Sequence, residues 1–184
     1  MKNLLPLLAL PILIASCHAS SAQQSRSTLN KVIVIRHGEK PGKGENLSCQ
    51  GLNRSLQLSG VLSKKFGTVD VIFVPSVNTG KKTSSARMYQ TIIPYAVKNN
   101  LDINTTFDVD DTKGLVQDVL KRNGTVLLVW EHKHIDNILK ALGVTNPEKW
   151  PDEDFDSIWI VSFQNGKAEL TKDREGIHPD ATCK

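Results

Sequence analysis

The stretch KVIVIRHGEKP, residues 31–41, decides the fold. Val32, Ile33, Val34 and Ile35 form an unbroken β-branched run after Lys31. Such a run is expected of a parallel strand buried on both faces. It leads directly into Arg36-His37-Gly38. In open α/β sheets, ligands sit just beyond the carboxyl ends of the strands. Gly38 lets the backbone turn in close quarters. Arginine offers a planar fork of donors suited to phosphate oxygens. Histidine titrates near pH ~6.5 and serves as nucleophile, acid or base. The tripeptide predicts anion binding plus attack by a nitrogen nucleophile. Taken alone, it also fits a solvated turn with incidental charges.

Strand and helix patterns alternate outward from this point. GLNRSLQLSGVLSKKFG (51–67) has apolar residues near the helical period and a glycine stop. VDVIFVPSV (69–77) reads as a second buried strand. Residues 84–100 read as a helix capped by Ser84 or Ser85 and kinked at Pro94. A short strand is expected over 102–109 and a helix over 111–124. TVLLVWEH (125–132) is a third strong strand, followed by a helix over 134–143. Residues 156–170 read as two strands joined at Asn165-Gly166, a hairpin signal. This rhythm predicts an α/β fold: a three-layer αβα sandwich around a mostly parallel sheet.

The 184 residues carry a formal charge of +4, with 5% aromatics. Lysine and arginine are scattered rather than striped along one face, which argues against nucleic acid as a partner. Lys2 and the apolar run from Leu4 to Ala15 read as a secretory signal, too short to span a bilayer comfortably. The run ends in IASC, which resembles the bacterial lipobox, with Cys17 the lipidated residue. Ordinary cleavage after Ala22 is the alternative. The expected organisation is a lipoprotein-type signal over 1–16, a tether over 17–30 and one domain over 31–184. The membrane is then a partner through the lipid anchor only. The remaining pair, Cys49 and Cys183, predicts a disulfide in an oxidising compartment. Asn-x-Ser/Thr sites at Asn46, Asn53, Asn104 and Asn123 are incidental in a bacterial lipoprotein.

Two further stretches bear on the opening motif. SSARMYQT puts Arg87 at a helix start after the second strand, and VLLVWEHKHI puts Glu131 and His132 at the end of the third. Loops on one sheet edge then bring Arg36, His37, Arg87 and His132 together. Nearby helix N-termini add favourable dipoles.

With these three ordered motifs, the sequence resembles the histidine phosphatase superfamily, also called phosphoglycerate mutase-like. VIVIRHGEK matches its strand-Arg-His-Gly motif, TSSARMYQT its arginine-and-threonine helix, and EHKHI its second histidine. The resemblance spans residues 31 to about 142. It implies a phosphoglycerate mutase-like fold and hydrolysis of phosphomonoesters through a phosphohistidine on His37. Arg36, Arg87 and His132 would hold the phosphoryl oxygens, and no cofactor is implied. His37 must attack as neutral imidazole, whereas a protonated His132 suits the anion.

The proton donor is where this sequence departs from the family. One branch has aspartate directly after the second histidine; here that residue is Lys133. Glu131 and Asp110 are the candidate acids, although acidic residues at a helix start also serve as caps. Glu39 and Lys40 follow the motif and are candidate substrate contacts, with a solvated loop lysine the alternative for Lys40. Arg54 faces either the pocket or solvent. Glu131, His132 and His134 lack a matched partner set for zinc, so no metal is expected. Trp130, Trp150 and Trp159 are read as packing residues. Without the large cap of the acid phosphatase branch, an open site is expected. Export to the periplasm, attached to the outer membrane, argues against a mutase. It points instead to a phosphorylated small molecule or a cell-envelope sugar phosphate. A noncatalytic phosphate- or polyanion-binding lipoprotein and a protein phosphohistidine phosphatase are the alternatives.

Overall fold

The computed structural model describes residues 28–79 and 83–183. The signal segment, Cys17 and most of the expected tether lie outside those residues. In chain order the elements are β1 (Leu29–Arg36), α1 (Cys49–Phe66), β2 (Val71–Phe73), β3 (Asn78–Thr79), β4 (Thr83–Ser84), α2 (Ala86–Asn99), β5 (Ile103–Asn104), α3 (Thr112–Val119), β6 (Gly124–Trp130), α4 (His132–Ala141), β7 (Ser157–Gln164) and β8 (Lys167–Arg174).

The apolar runs of β1 and β6 explain the layering. Side chains alternate across a strand, so a continuous run feeds two cores. Val32 and Val34 pack with Val126, Leu128 and Trp130 under α3 and α4. Ile33 and Ile35 pack with Leu127 and Val129 under α1 and α2. The result is the three-layer αβα arrangement expected from the sequence.

The main sheet has the order β5-β2-β6-β1-β7-β8. β1, β6, β2 and β5 pair in parallel, and β7 is antiparallel to both β1 and β8. The chain steps outward from β1 to β2 and β5, then returns to insert β6 beside β1. Right-handed crossovers put helices on opposite faces when the direction reverses. α1 and α2 therefore lie on one face, and α3 and α4 on the other. The crevice between the carboxyl ends of β1 and β6 is a topological switch point, the usual ligand position in such sheets.

Several boundaries differ from the sequence reading. β1 begins at Leu29, inside the expected tether, because Leu29 pairs with Gly124. The strand over 69–77 is paired only at Val71–Phe73, and that over 102–109 only at Ile103–Asn104. These lie at the outer side of the sheet, where pairing partners rather than apolar content set strand length. The helix over 111–124 stops at Val119. α2 runs through Pro94. The hairpin turn is as expected, with φ of 50° at Asn165 and 75° at Gly166. Trp130, Trp150 and Trp159 are all buried in one core.

Cys49 and Cys183 are disulfide-bonded across a sequence separation of 134. Cys49 is the first residue of α1 rather than part of the preceding loop. Asn53, one turn along, donates to the carbonyls of Asp180 and Thr182 at 2.8 and 2.9 Å. The C-terminal tail is thus strapped to the start of α1. Closing so long a loop stabilises by roughly 3–5 kcal/mol in the chain-entropy model. Reduction should therefore lower the urea midpoint substantially, and Cys49→Ser/Cys183→Ser should match the reduced protein. An unchanged midpoint on reduction would contradict this.

Candidate active site

The strand alternation that builds the two cores also splits Arg36 from His37. Arg36, paired with Trp130 at the last rung of the parallel ladder, continues the Val32–Val34 face. Its Nη1 donates to the Asp152 carbonyl, and more weakly to the Asp154 carbonyl at 3.4 Å. The guanidinium lies 3.8 Å over the Phe155 ring, a cation–π arrangement. Burial works against the Arg36 charge, while Asp152, Glu153, Asp154 and Glu131 support it.

His37 takes the other face and is only 3% exposed. Its Nδ1 lies 2.7 Å from the Gly38 carbonyl. A carbonyl only accepts, so Nδ1 carries the proton and Nε2 keeps its lone pair. Burial, joined by the charges of Arg36, Arg87 and His132, pushes the imidazole down to about 4. His37 is therefore neutral at pH 7, with its nucleophilic nitrogen fixed by a backbone contact.

Gly38 is held from two sides. Its N–H donates to Thr91 Oγ1 at 2.9 Å, and the Thr91 hydroxyl donates to the Arg87 carbonyl at 2.7 Å. On the other side the start of α1 is pressed against the loop. A Cβ on Gly51 would lie 2.3 Å from the Glu39 carbonyl oxygen, so glycine is required there. The sequence reading assigned no role to Thr91. Its hydroxyl ties α2 to the His37 loop from a fully buried position. Thr91→Val should cost about 1–3 kcal/mol, because it strands a buried N–H. Thr91→Ser should recover most of that loss. Chemical denaturation measures both; equal loss in the two variants would show that packing, not the hydroxyl, matters.

Arg87 is the second residue of α2. Its Nη1 donates to the Gly44 carbonyl at 3.0 Å and lies 3.7 Å from Glu45. His132 opens α4, and its Nε2 lies 3.1 Å from Asp152 Oδ1. Burial and Arg36 lower its pKa, against the pull of Asp152. The environment of His132 therefore does not by itself favour the charged form expected from the sequence. Burial and the Arg36 guanidinium lower the pKa of both histidines, but Asp152 and Glu131 oppose the shift at His132.

Arg36 Nε, Arg87 Nε and His132 Nδ1 are all buried without a hydrogen-bond partner among the described residues. Unpaired buried polar atoms are costly and rare, and each calls for an explanation. Arg36, Arg87 and His132 are also the three side chains whose charges act on His37. Together they form a cationic cradle beside an imidazole with a free lone pair. Among the described residues, no group of three or more His, Cys, Asp or Glu is arranged to hold a metal ion.

The other candidates divide. Glu131 is the N-cap residue of α4 with no side-chain cap bond, and its charge acts on both Arg36 and His132. Asp110 is an exposed turn residue with no side-chain bond to the cradle; its neighbour Asp111 caps α3 through Gly114 N–H at 2.9 Å. Lys40 is exposed and forms no hydrogen bond or ion pair among the described residues. Glu39 is taken up by Arg54, whose Nε lies 3.0 Å from both carboxylate oxygens. Arg54 is buried between Glu39 and Glu175, with Nη1 2.6 Å from Glu175, and borders a cleft rather than solvent. One guanidinium shared by two carboxylates does not offset the burial of the second, and Glu175 is pushed up to about 7. His134 lies in the first turn of α4.

A loop without an assigned role also borders the site. The loop over 151–156, which the sequence reading passed over, supplies the carbonyls for Arg36, the partner of His132 and the Phe155 ring. That ring also stands 6.1 Å from the His37 ring. The loop is anchored by Trp150 Nε1 donating to the Asp154 carbonyl at 2.7 Å, and by Asp154 accepting from Ser157. A signal was present: PDEDFD packs four carboxylates into six residues, with Lys149 the one basic residue close by in sequence.

No protein-family model matches the chain, and no curated protein matches it in sequence. Its fold does match solved structures. The protein histidine phosphatase SixA, complexed with tungstate, superposes with a TM-score of 0.60 at 14% identity, covering 79% of this chain and 97% of that one. A phosphoserine phosphatase mutant from Entamoeba histolytica, in complex with phosphoserine, gives 0.55 at 16%, covering 79% and 96%. A phosphoglycerate mutase from Bacillus anthracis gives 0.52 at 12%, covering 80% and 94%. The chain thus shares the α/β fold of these structures, the phosphoglycerate mutase-like fold.

Proposed function

We propose that the protein is a phosphatase that hydrolyses phosphomonoesters through a phosphohistidine on His37. The observation that carries this reading is the trio of buried, unpartnered donors around a neutral imidazole whose Nδ1 is already engaged. A phosphoryl group seated there accepts from Arg36 Nε and Arg87 Nε, and from His132 Nδ1 in the imidazolium form, which the phosphoryl charge on one side and Asp152 on the other favour. The His37 Nε2 lone pair attacks phosphorus, and the bond to the leaving oxygen breaks. The Gly38 carbonyl stabilises the positive ring that forms. Water then attacks the phosphohistidine, releasing phosphate and restoring the neutral imidazole. The cradle acts by positioning and by stabilising charge in the transition state. Glu131, protonated in the first step and a base in the second, is the residue we assign to the leaving-group proton. Asp110 is the weaker candidate, being exposed and outside the cradle.

Export and lipid attachment at Cys17 belong to the same proposal. The Cys49–Cys183 disulfide supports an oxidising compartment. A lipid anchor would tether the enzyme at the periplasmic face of the outer membrane.

Action on protein phosphohistidine is a second reading, favoured by the fold shared with SixA, itself described as a protein histidine phosphatase. A phosphoramidate leaves readily and demands less of an acid. Turnover of an aryl phosphate against an alkyl phosphate tests the proposal. Hydrolysis of the aryl ester is expected; cleavage of neither ester over a broad pH range would leave a phosphate-binding lipoprotein as the better account.

A further inference from the structure

The unpartnered donors account for the phosphoryl group but say nothing of what it is attached to. A cleft of about 670 Å³ adjoins the cradle. Its walls include Glu39, Arg54, Glu153, Phe155, Asp156 and Arg174. Phe155 borders both sites, since the same ring lines the cleft, packs on Arg36 and stands 6.1 Å from the His37 ring. Glu39 follows His37 by two residues along the loop. The volume falls within the range that holds a small organic ligand, about 300–1,000 Å³.

The charge of this cleft is opposite to that of the cradle. Glu39, Glu153, Asp154 and Asp156 line it, against Arg54, Arg174 and His178. Both guanidiniums are already engaged by carboxylates. Arg54 is clamped between Glu39 and Glu175. Arg174 Nη1 lies 3.5 Å from Asp156 Oδ2. Glu153 is exposed and forms no hydrogen bond or ion pair among the described residues, although its charge reaches Arg36. The free capacity of the cleft is therefore that of an acceptor. A second anionic group on a substrate would meet four carboxylates against the exposed Arg174 and His178, whereas an ammonium group would meet Glu153 beside an aromatic face.

We infer that this cleft is the leaving-group subsite and that it selects a substrate whose phosphorylated group also carries an organic cation, such as an aminoalkyl phosphate. The inference rests on the phosphatase reading for the identity of the neighbouring cradle. The two sites together fit a dipolar substrate, with its phosphate on Arg36, Arg87 and His132 and its ammonium toward Glu153.

Binding can be measured without turnover in His37→Ala, or in His37→Asn should the alanine variant not fold. Three ligands of matched length serve as probes: phosphoethanolamine, ethyl phosphate and phosphoglycolate, which carry an ammonium, nothing and a carboxylate at the far end. Titration calorimetry at pH 8 keeps an ordinary imidazole neutral and an alkylamine charged. Phosphoethanolamine should bind about tenfold or more tightly than phosphoglycolate, with ethyl phosphate between them, as partly exposed ion pairs allow. Adding Glu153→Lys should narrow that ratio about tenfold or invert it, and salt should narrow it as well. Equal affinities, preference for phosphoglycolate, or no binding of any of the three would overturn the subsite. The phosphatase reading fails separately, if the wild-type protein neither cleaves an aryl phosphate nor becomes phosphorylated. The binding order stands or falls whatever that assay gives.

Discussion

His37→Ala reduces turnover of an aryl phosphate to the uncatalysed background, a loss on the order of 10⁴–10⁶, the scale seen when a nucleophile is removed. Nothing else in the cradle can replace it. His132 has its Nε2 engaged by Asp152, and its Nδ1 serves as a donor in the proposed complex. The fold should survive, because the side-chain hydrogen bond lost among the described residues is a local one to Gly38. The pH dependence follows from the same environment. With a folded pKa near 4, His37 remains a competent nucleophile far below the ordinary value of 6.5. The acid limb of kcat/KM due to His37 should therefore lie near 4, once the substrate's own ionisation is allowed for. Stability carries the matching sign. Between about 6.5 and 4 the unfolded chain takes up a proton that the folded chain refuses, so neutral burial of His37 costs stability as pH falls through that window. His37→Ala should lose this part of the acid sensitivity. Acid unfolding curves that coincide for the two proteins would contradict the assigned neutral state.

Glu131→Gln should separate two kinds of substrate. A leaving-group acid matters most for an alkoxide and least for an aryl oxide. Its loss should cost roughly 10²–10⁴-fold on an alkyl phosphate and far less on an aryl phosphate. Arg87→Ala should instead damage both alike, because both transition states place the same charge on the phosphoryl oxygens. Asp110→Asn should change neither, given its exposed turn position. Steady-state kinetics on the paired esters decides the matter. Equal losses on both esters in Glu131→Gln would remove Glu131 as the donor. Water or the substrate would then supply the proton, and the enzyme would favour activated esters or phosphoramidates.

The parts of this protein that were legible in its sequence share one property: their structure follows from local chain geometry. The apolar runs of β1 and β6 alternate between two cores, and a strand must end somewhere. What stands at that end, Arg36-His37 on one strand and Glu131-His132 after the other, meets at the switch point by topology alone. The hairpin at Asn165-Gly166 follows from residues that tolerate positive φ. The illegible parts depend on partners far away in sequence. Arg36 bonds to Asp152, 116 residues on, and Arg54 to Glu175, 121 residues on. No periodicity marks a loop that roofs a site or a guanidinium buried between two carboxylates. Thr91 was inside a quoted motif, yet a threonine within a helix gives no sign that its hydroxyl faces another strand's loop. β2 and β5 were overextended for a related reason. Apolar content persists beyond the point where a neighbouring strand is there to pair.

The most direct test of the account is the chemical identity of the phosphorylated residue. Wild-type protein is mixed briefly with a labelled aryl phosphate, quenched in alkali, where phosphohistidine survives, and digested for mass spectrometry and phosphorus NMR. Because Nδ1 is committed to the Gly38 carbonyl, the account predicts one phosphoryl group per chain, on Nε2 of His37. Label on Nδ1, label on His132, or full turnover with no phosphorylated residue would contradict it.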